Sequence, residues 1–583
     1  MRIVVIDSGY NCGTENRFDG ISIQKQGENY CVTKDISDTE GHGTKVVDIL
    51  LRYGRNVQLF IVKIATDNLD DDEHVDILMY ALEYAATKIN PDIINISMGL
   101  EYCYRYLEFS KLCDKMRNEG IYIVAAYSNT GSNSYPAVFN SVIGVDWCIE
   151  CDKISQYILV ERLKKVDIRC SLSININRSD YRGNSFLAPY ISALINNILE
   201  KSSDKSYENL KAELIKGAYK VVKQVPNELK YMNRRIRKAI LFPYNKEIKS
   251  LVLNRNMIDF KIEGIYDIKY SPNFHEQIQI GNSYYYIENY KNIKWENDFD
   301  TVVLGHTQQL SRIINKDLTE YFVKKSKEYG KFLYSFDDMS SYADLTNMIY
   351  YPRIDHHSFR DLYFGKLFHV PIPVLVVLGT RSRQGKFFIQ QKIREYFDHK
   401  GASVGYLSTE PSGFLIGADA VYPIGYGANV HLSTSEQISC VNYLLNEIAQ
   451  KGKDIIITGG QSQIINNAFG NVHGYPIEQY AFLLACEPDE VVLCVGYDDD
   501  IEYITKSIQF IESVGKRWIV RTYTKQEQTC MIKTDLLLSY FTSSLSGFRQ
   551  FAGRSGDQGS RSSRKPLSVS SRCFGISASR YSK

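Results

Sequence analysis

The sequence predicts a mixed α/β chain built from several doubly wound parallel sheets. Short apolar runs at 2–7, 57–64, 93–97 and 121–126 alternate with helix-length amphipathic stretches. Such runs, bounded by Gly, Ser or Asn, read as strands buried on both faces. Their alternation with helices implies right-handed βαβ units. The pattern restarts twice, near residue 235 and sharply at 374. At 583 residues the chain exceeds a single core, and typical domain sizes divide it into about three or four units.

Each element follows in turn. Strand 2–7 breaks at Ser8-Gly9, helix 43–53 and strand 57–64 follow, and an amphipathic helix covers 74–89. Strand 93–97, helix 105–118 and strand 121–126 complete the alternation. A small-residue and apolar helix spans 185–199, and the polar stretch 200–224 reads as a terminal helix with a linker. In the second unit, 237–243 and Gly264-Ile265-Tyr266-Asp267 flank a helix. Strand 300–305, helix 315–329 and strand 331–335 come next. The third unit opens with strand 374–378, a glycine-bearing loop and a helix, with further strands at 403–408, 454–458 and 490–495. From about 543 the chain is rich in Ser, Arg and Gly, with eight basic residues and Asp557 as its one acid. That tail, 543–583, is expected to be disordered, because it cannot bury enough apolar surface to offset ordering entropy.

Composition narrows the function classes. Hydrophobic residues make up 44% and charged residues 23%, as in ordinary globular proteins. Lys+Arg is 69 against Asp+Glu 67, so no nucleic-acid or anionic-membrane partner is expected. The opening Met-Arg-Ile-Val-Val-Ile-Asp is too short for a signal-peptide core. No stretch reaches the roughly 20 apolar residues that span a bilayer. A cytoplasmic location follows as the expectation, with the twelve cysteines reduced. Cys148 and Cys151 form one CxxC that lacks two further ligands at suitable spacing, so no metal is expected there.

Three short motifs occur in the order Asp, His, Ser. They are Val5-Ile6-Asp7-Ser8-Gly9, Gly41-His42-Gly43-Thr44 and Gly183-Asn184-Ser185-Phe186-Leu187-Ala188-Pro189. A serine hydroxyl needs a base within hydrogen-bond reach, and the base needs a group that fixes its tautomer and stabilises its cation. Asp7 at a strand end and His42 and Ser185 at helix starts can fill these roles. Taken singly, each is an ordinary cap or turn former.

Together the segments resemble the signatures of subtilisin-like serine proteases (subtilases, peptidase S8). Ile94-Asn95-Ile96-Ser97-Met98-Gly99 is similar to the family strand lining the substrate cleft. Ile123-Val124-Ala125-Ala126-Tyr127-Ser128-Asn129 is similar to the strand delivering the oxyanion-hole asparagine, and Ser134-Tyr135-Pro136-Ala137 to a Tyr-Pro-Ala turn. The resemblance covers about residues 1–200 and implies a serine endopeptidase with Asp7, His42 and Ser185 as triad and Asn129 as oxyanion donor. It also implies Ser97, Met98, Gly99 and Tyr127 in substrate binding, a peptide or protein substrate, and no cofactor for proteolysis. Asn184 stands where Thr is usual, Leu187 where Ala or Ser is usual, and Tyr127-Ser128 where Ala-Gly is usual. These departures imply an altered cleft near Tyr127 and Leu187. No inhibitory propeptide precedes Asp7, so folding without autoprocessing is expected.

Gly379-Thr380-Arg381-Ser382-Arg383-Gln384-Gly385-Lys386 follows a strand and precedes a helix, the context of a phosphate-binding loop. Five residues, not four, separate its glycines, and Phe387 stands where Ser or Thr would hold Mg²⁺. Asp454 is open between a strand cap and a metal-site role. Residues 235–540 resemble a P-loop-like family with a Rossmann-like N-terminal unit. ATP or GTP with Mg²⁺ is the implied cofactor, through Gly379, Thr380, Gly385 and Lys386. The fusion resembles proteins of peptide-maturation systems, which process precursor peptides. The expected organisation is a subtilisin-like domain at 1–205, a helical linker at 206–235, a Rossmann-like unit at 236–360, a P-loop NTPase-like domain at 361–542 and the tail. An alternative is a nucleotide-dependent enzyme whose subtilase part binds peptides.

Overall fold

Parallel strands buried on both faces order the chain from its first residues. The computed structural model describes residues 1–524, apart from 12–17, 28, 65–68, 177–178, 270, 281–282, 346, 426, 467–469, 471–473 and 515–518. The tail at 543–583 lies outside the described residues. Met1–Lys525 form one compact unit with three large sheets, all mixed or parallel, between α-helices.

The first sheet uses β1 (Arg2–Asp7), β2 (Asp19–Gln26), β3 (Asn29–Thr33), β4 (Gln58–Ile64), β5 (Ile93–Ile96), β6 (Tyr122–Ala126), β7 (Val142–Trp147), β8 (Tyr157–Glu161) and β9 (Val166–Cys170). β10 (Ser173–Ile176) and β11 (Ser179–Arg182) form a separate antiparallel ribbon, and β12 (Lys220–Lys223) returns to the sheet edge. The ten strands run in the order β12-β8-β9-β7-β6-β5-β1-β4-β2-β3. Its helices are α1 (His42–Tyr53), α2 (Asp71–Tyr84), α3 (Tyr106–Asn118), α4 (Asn184–Lys201) and α5 (Tyr207–Gly217).

Strand alternation explains the two-sided core. Ile3 and Val5 pack with Val46, Leu50, Ala188 and Ile191 of α1 and α4. Val4 and Ile6 point the other way, toward Val75, Leu78 and Leu82 of α2 and Phe109 of α3. Helix α2 starts three residues before the expected 74 because Asp70 and Glu73 form a capping box. The stretch 206–235, expected as a helical linker, instead supplies α5 and β12. Leu210 and Leu214 bury α5 against the first core. β12 was hidden by its polar sequence, since an edge strand with two exposed ends needs no apolar run. Cys148 and Cys151 are buried thiols with sulfurs 3.3 Å apart.

The second sheet has seven strands: β13 (Lys238–Phe242), β14 (Lys261–Asp267), β15 (Gln277–Ile280), β16 (Ser283–Asn289), β17 (Thr301–Leu304), β18 (Phe332–Ser335) and β19 (Ile349–Tyr350). Their order is β15-β16-β14-β13-β17-β18-β19, with α6 (Lys246–Leu253), α7 (Gln308–Ile314) and α8 (Leu318–Glu328) as its helices. β20 (Ile354–Asp355) leads to the third sheet, made of β21 (Val374–Gly379), β22 (Val404–Ser408), β23 (Ala420–Val421), β25 (Ile455–Gly459), β26 (Glu490–Val495) and β27 (Ile519–Thr524). β24 (Val430–His431) pairs with β20 instead. The third sheet is parallel throughout, in the order β23-β22-β25-β21-β26-β27. Helices α9 (Lys386–His399), α10 (Thr434–Ala449), α11 (Ile477–Cys486) and α12 (Ile501–Val514) accompany it. Among the described residues no helix is long and apolar enough to cross a membrane.

Phe109 has no exposed surface, and its ring lies edge-on to Phe139 at 5.2 Å. Phe109→Ala is expected to destabilise the first sheet by about 3–5 kcal/mol through lost transfer energy and a cavity. Denaturant titration, comparing midpoints for the two proteins, measures this.

Candidate active site

The sheet order places the chemistry. β6, β5 and β1 are neighbours, so residues after their carboxyl ends lie side by side. Asp7 ends β1, Ser97 follows β5, and Asn129 lies three residues beyond β6. The starts of α1 and α4 bring His42 and Ser185 to the same rim.

Asp7 is buried, and its Oδ1 receives hydrogen bonds from His42 Nδ1 at 2.7 Å and Ser8 N–H at 2.8 Å. His42 Nε2 lies 3.1 Å from Ser185 Oγ. The imidazole thus has a fixed tautomer, with Nδ1 donating to the carboxylate and Nε2 left to accept from the hydroxyl. The Phe186 ring packs against His42 at 4.9 Å. Gly43 must be glycine, because a Cβ there would come within 2.2 Å of the Gly9 carbonyl oxygen.

A second carboxylate, which sequence reading missed, holds the histidine loop. Asp38 Oδ1 accepts from Ser8 Oγ at 2.9 Å and Gly41 N–H at 2.8 Å, while Oδ2 accepts from Thr44 N–H at 2.8 Å. The Gly41 and Thr44 N–H groups are unpaired donors at the start of α1. Burial opposes ionisation of Asp38, but the bonds from Thr44, Gly41 and Ser8 outweigh it and hold its carboxyl below the usual range. The available signal was its position four residues before His42, where a helix start needs an acceptor.

Asn129 is exposed, and its Oδ1 accepts from the N–H of Asn184 at 2.8 Å. A backbone N–H can only donate, so this bond assigns the amide and leaves Nδ2 as the donor for other acceptors. The N–H of Ser185, in the first turn of α4, has no partner within the helix. Asn129 Nδ2 and this N–H are the candidate oxyanion donors. Gly183, with φ 115°, lets the chain turn beneath Asn129.

The expected cleft residues divide. Ser97 Oγ turns inward to accept from Asn95 Nδ2 at 2.8 Å, and Met98, next in the 97–99 segment, packs in part against the core that holds Val4 and Ile6. Leu100 pairs with Tyr135, which anchors the end of that segment. Tyr127 does not face the cleft. Its ring is buried and its hydroxyl donates to Asp167 at 3.3 Å, among Lys165, Arg162 and Lys366. Leu187 is buried in the core on the sheet-facing side of α4. Both substitutions therefore change packing behind the site. Ser128, beside Tyr127, is also buried, with its Oγ donating to Glu101 at 2.5 Å.

The loop 379–386 lies at the carboxyl end of β21, and Gly385 with φ 84° turns the chain into α9. Lys386 folds over the loop, its Nζ donating to the carbonyls of Arg381 at 2.7 Å and Ser462 at 3.1 Å. Burial pushes its ammonium down to about 8. Thr380 turns inward, bonded to Gln384 at 2.9 Å and to Asp499. Asp499 also accepts from Gln384 Nε2 at 2.9 Å and Gly496 N–H at 2.6 Å, and pairs with Arg381 at 2.6 Å. Glycines, a helix start and Lys386 fit a phosphate. The loop does not fit Mg²⁺ as expected: Phe387 packs into the apolar core beside the second sheet, and the Thr380 hydroxyl is committed to Asp499. Asp454 lies at the amino end of β25, at the opposite end of the strands from the loop, where it caps the Ser403 N–H at 2.7 Å. Among the described residues no group of three His, Cys, Asp or Glu side chains is arranged to hold a metal.

Residues 361–513 match the model of a domain of unknown function (DUF1611_C), described as a P-loop domain. Among solved structures, the chain is similar to a DUF1611 family protein from Anabaena variabilis ATCC 29413, at 13% identity and TM-score 0.38, covering 53% of this chain and 93% of that one. It is similar to the prenylagaramide maturation protease PagA at 17% identity and TM-score 0.23, covering 34% and 75%. It is also similar to the subtilisin-like protease Apa1 from the Antarctic psychrotroph Pseudoalteromonas sp. AS-11 at 11% identity and TM-score 0.26, covering 40% and 88%. The comparison with curated proteins finds no match.

Burial lowers the His42 pKa, but the Asp7 hydrogen bond and the charges of Asp7, Asp38 and Glu40 outweigh it, so the net shift is upward. A raised folded-state value means that protonated His42 stabilises the fold fully below the unfolded imidazole pKa. That contribution is lost as pH rises through the folded pKa. The His42 ring-proton NMR titration should therefore have its midpoint above about 6.5. Glu40→Gln, which removes an exposed negative charge, should move that midpoint down.

Proposed function

We propose that residues 1–205 form a serine endopeptidase domain acting through an acyl-enzyme. The observation that carries this is the continuous chain Asp7 Oδ1 to His42 Nδ1 at 2.7 Å and His42 Nε2 to Ser185 Oγ at 3.1 Å. Ser185 Oγ attacks the peptide carbonyl while His42 takes its proton. Asp7 stabilises the imidazolium that forms. Asn129 Nδ2 and the Ser185 N–H receive the developing oxyanion, and one such donor contributes roughly 3 kcal/mol to lowering the barrier. His42 then returns its proton to the leaving amine, and water attacks the ester by the same route. The backbone of 97–99 pairs with the substrate as an added strand.

The substrate we infer is a precursor peptide in a peptide-maturation system, handled in the cytoplasm. The sequence resemblance of the fused arrangement supports that class. Ser185→Ala should abolish both peptide cleavage and labelling by a fluorophosphonate probe. Labelling that persists unchanged in this variant rejects Ser185 as the nucleophile.

A second reading concerns the loop 379–386, favoured by the Lys386 geometry and the P-loop match over 361–513. Here the third sheet binds the phosphates of ATP or GTP, with Lys386 exchanging its carbonyl partners for phosphate oxygens. The alternative in which the first domain only presents peptides to a nucleotide-dependent enzyme depends on this site. ATP should raise the unfolding temperature of the full chain, and Lys386→Ala should remove that shift. No shift in the unmutated protein counts against nucleotide binding.

A further inference from the structure

The segment 361–369 leads toward β21 of the third sheet, yet it is built into the core beside the first sheet. Phe368 is buried in the core that also contains α2 and α3. Asn133 grips the segment twice, its N–H donating to the Leu367 carbonyl at 2.9 Å and its Nδ2 to the Lys366 carbonyl at 3.0 Å. Arg162 donates to the Leu362 carbonyl at 2.8 Å. Held in this way, Lys366 carries its ammonium to Asp146 Oδ1 at 3.2 Å, with only 11% of the lysine side chain and 5% of the aspartate side chain exposed.

The same Asp146 oxygen accepts from Nδ2 of Asn184 at 3.1 Å. Asn184 is fully buried, and its Nδ2 also reaches the carbonyl of Tyr127 at 3.0 Å. Its own N–H holds Asn129 Oδ1, and the next residue is Ser185. A short chain of contacts therefore runs from Lys366 through Asp146 and Asn184 to both candidate oxyanion donors.

We propose that Lys366 is a positioning residue for the oxyanion site, so that a segment preceding the P-loop strand completes the catalytic centre of the protease domain. The inference rests on the protease reading. A buried carboxylate needs a cation or it relaxes toward water. Without Lys366, the remaining cation paired with Asp146 among the described residues is Arg169, 3.6 Å away on the other oxygen, Oδ2. Movement of Asp146 toward Arg169 pulls the acceptor from Asn184. Asn184 then shifts Asn129 and the Ser185 N–H, and small misplacements of such donors are costly in rate. The unusual Asn184 also gains a reason: its amide donates to a carboxylate and a carbonyl together, whereas a single Thr hydroxyl has one proton to give.

The test uses the full chain and a fluorogenic peptide, with active sites counted by fluorophosphonate titration to completion. In Lys366→Met, kcat per titrated site should fall about tenfold or more while KM changes little, as for a displaced transition-state donor. Lys366→Arg should restore most of that loss. A purely structural role would lower the number of titratable sites and leave kcat per site and KM as in the wild type. Unchanged kcat per site in Lys366→Met overturns the proposal. Should that variant not fold, Asn133→Ala loosens the grip on 361–369 without removing a charge. A lower kcat per site in Asn133→Ala then supports the proposal, and an unchanged one overturns it. A wild-type chain that neither labels nor cleaves overturns the protease reading and this one together, whereas a labelled, active wild type isolates the question to Lys366.

Discussion

A parallel sheet covered by helices on both faces has nowhere to put polar chemistry except at the ends of its strands. The core of the first unit is apolar on either side of β1, with Ile3 and Val5 facing one helical layer and Val4 and Ile6 the other. Backbone pairing along β6, β5, β1 and β4 then fixes which loops are neighbours. Asp7, the 97–99 segment and Asn129 converge because their strands are adjacent, although they are far apart in sequence. The hydrogen bond from His42 to Asp7 depends on this arrangement, since the carboxylate is delivered by a strand end that cannot shift without disturbing the core.

Electrostatics then does at the rim what packing does beneath it. The donors at the start of α1 are met by Asp38, so the loop carrying His42 is held by a carboxylate that takes no part in the proton transfer proposed for Ser185. Behind the Asn129 strand, a buried set of opposite charges holds the sheet end. Asp167 is paired with Arg162 at 3.1 Å and Lys165 at 2.8 Å, and Asp146 with Lys366. Burying such groups is costly unless each is paired and hydrogen-bonded. Burial accordingly pushes the Lys165 ammonium down to about 8, with Asp167 acting against that shift.

Much of this was legible in the sequence, for physical reasons that differ by element. Strands 2–7, 93–96 and 374–379 are short, mainly apolar runs closed by Ser or Gly, a pattern that burial on both faces favours. The spacing of Asp7, His42 and Ser185 was legible because each sits at an element boundary with its own turn chemistry. What escaped were features set by partners distant in sequence. β12 is polar and owes its existence to pairing with β8. Tyr127 was expected at the cleft from the resemblance of the 123–129 motif alone, whereas Asp167 and three cations hold its ring inside. Asp499 was invisible as a partner of the 379–386 loop, because 119 residues separate it from Thr380.

The two strand–loop–helix junctions show how one local geometry supports different chemistry. Both Ser185 and Lys386 open helices whose first N–H groups favour negative charge. At Ser185 the flanking side chains, Asn184 and Phe186, face inward or against His42, so that Oγ is left to the imidazole. At Lys386 the polar atoms turn back on the loop: Gln384 Oε1 accepts from the Arg381 N–H at 2.8 Å, and Lys386 from its own loop takes the Arg381 carbonyl. A phosphate entering that loop must replace these internal bonds, and it can do so because its oxygens accept more strongly than neutral carbonyls. The first junction is arranged around a hydroxyl already in contact with an imidazole, and the second around a cation whose present partners are the ones an anion would displace.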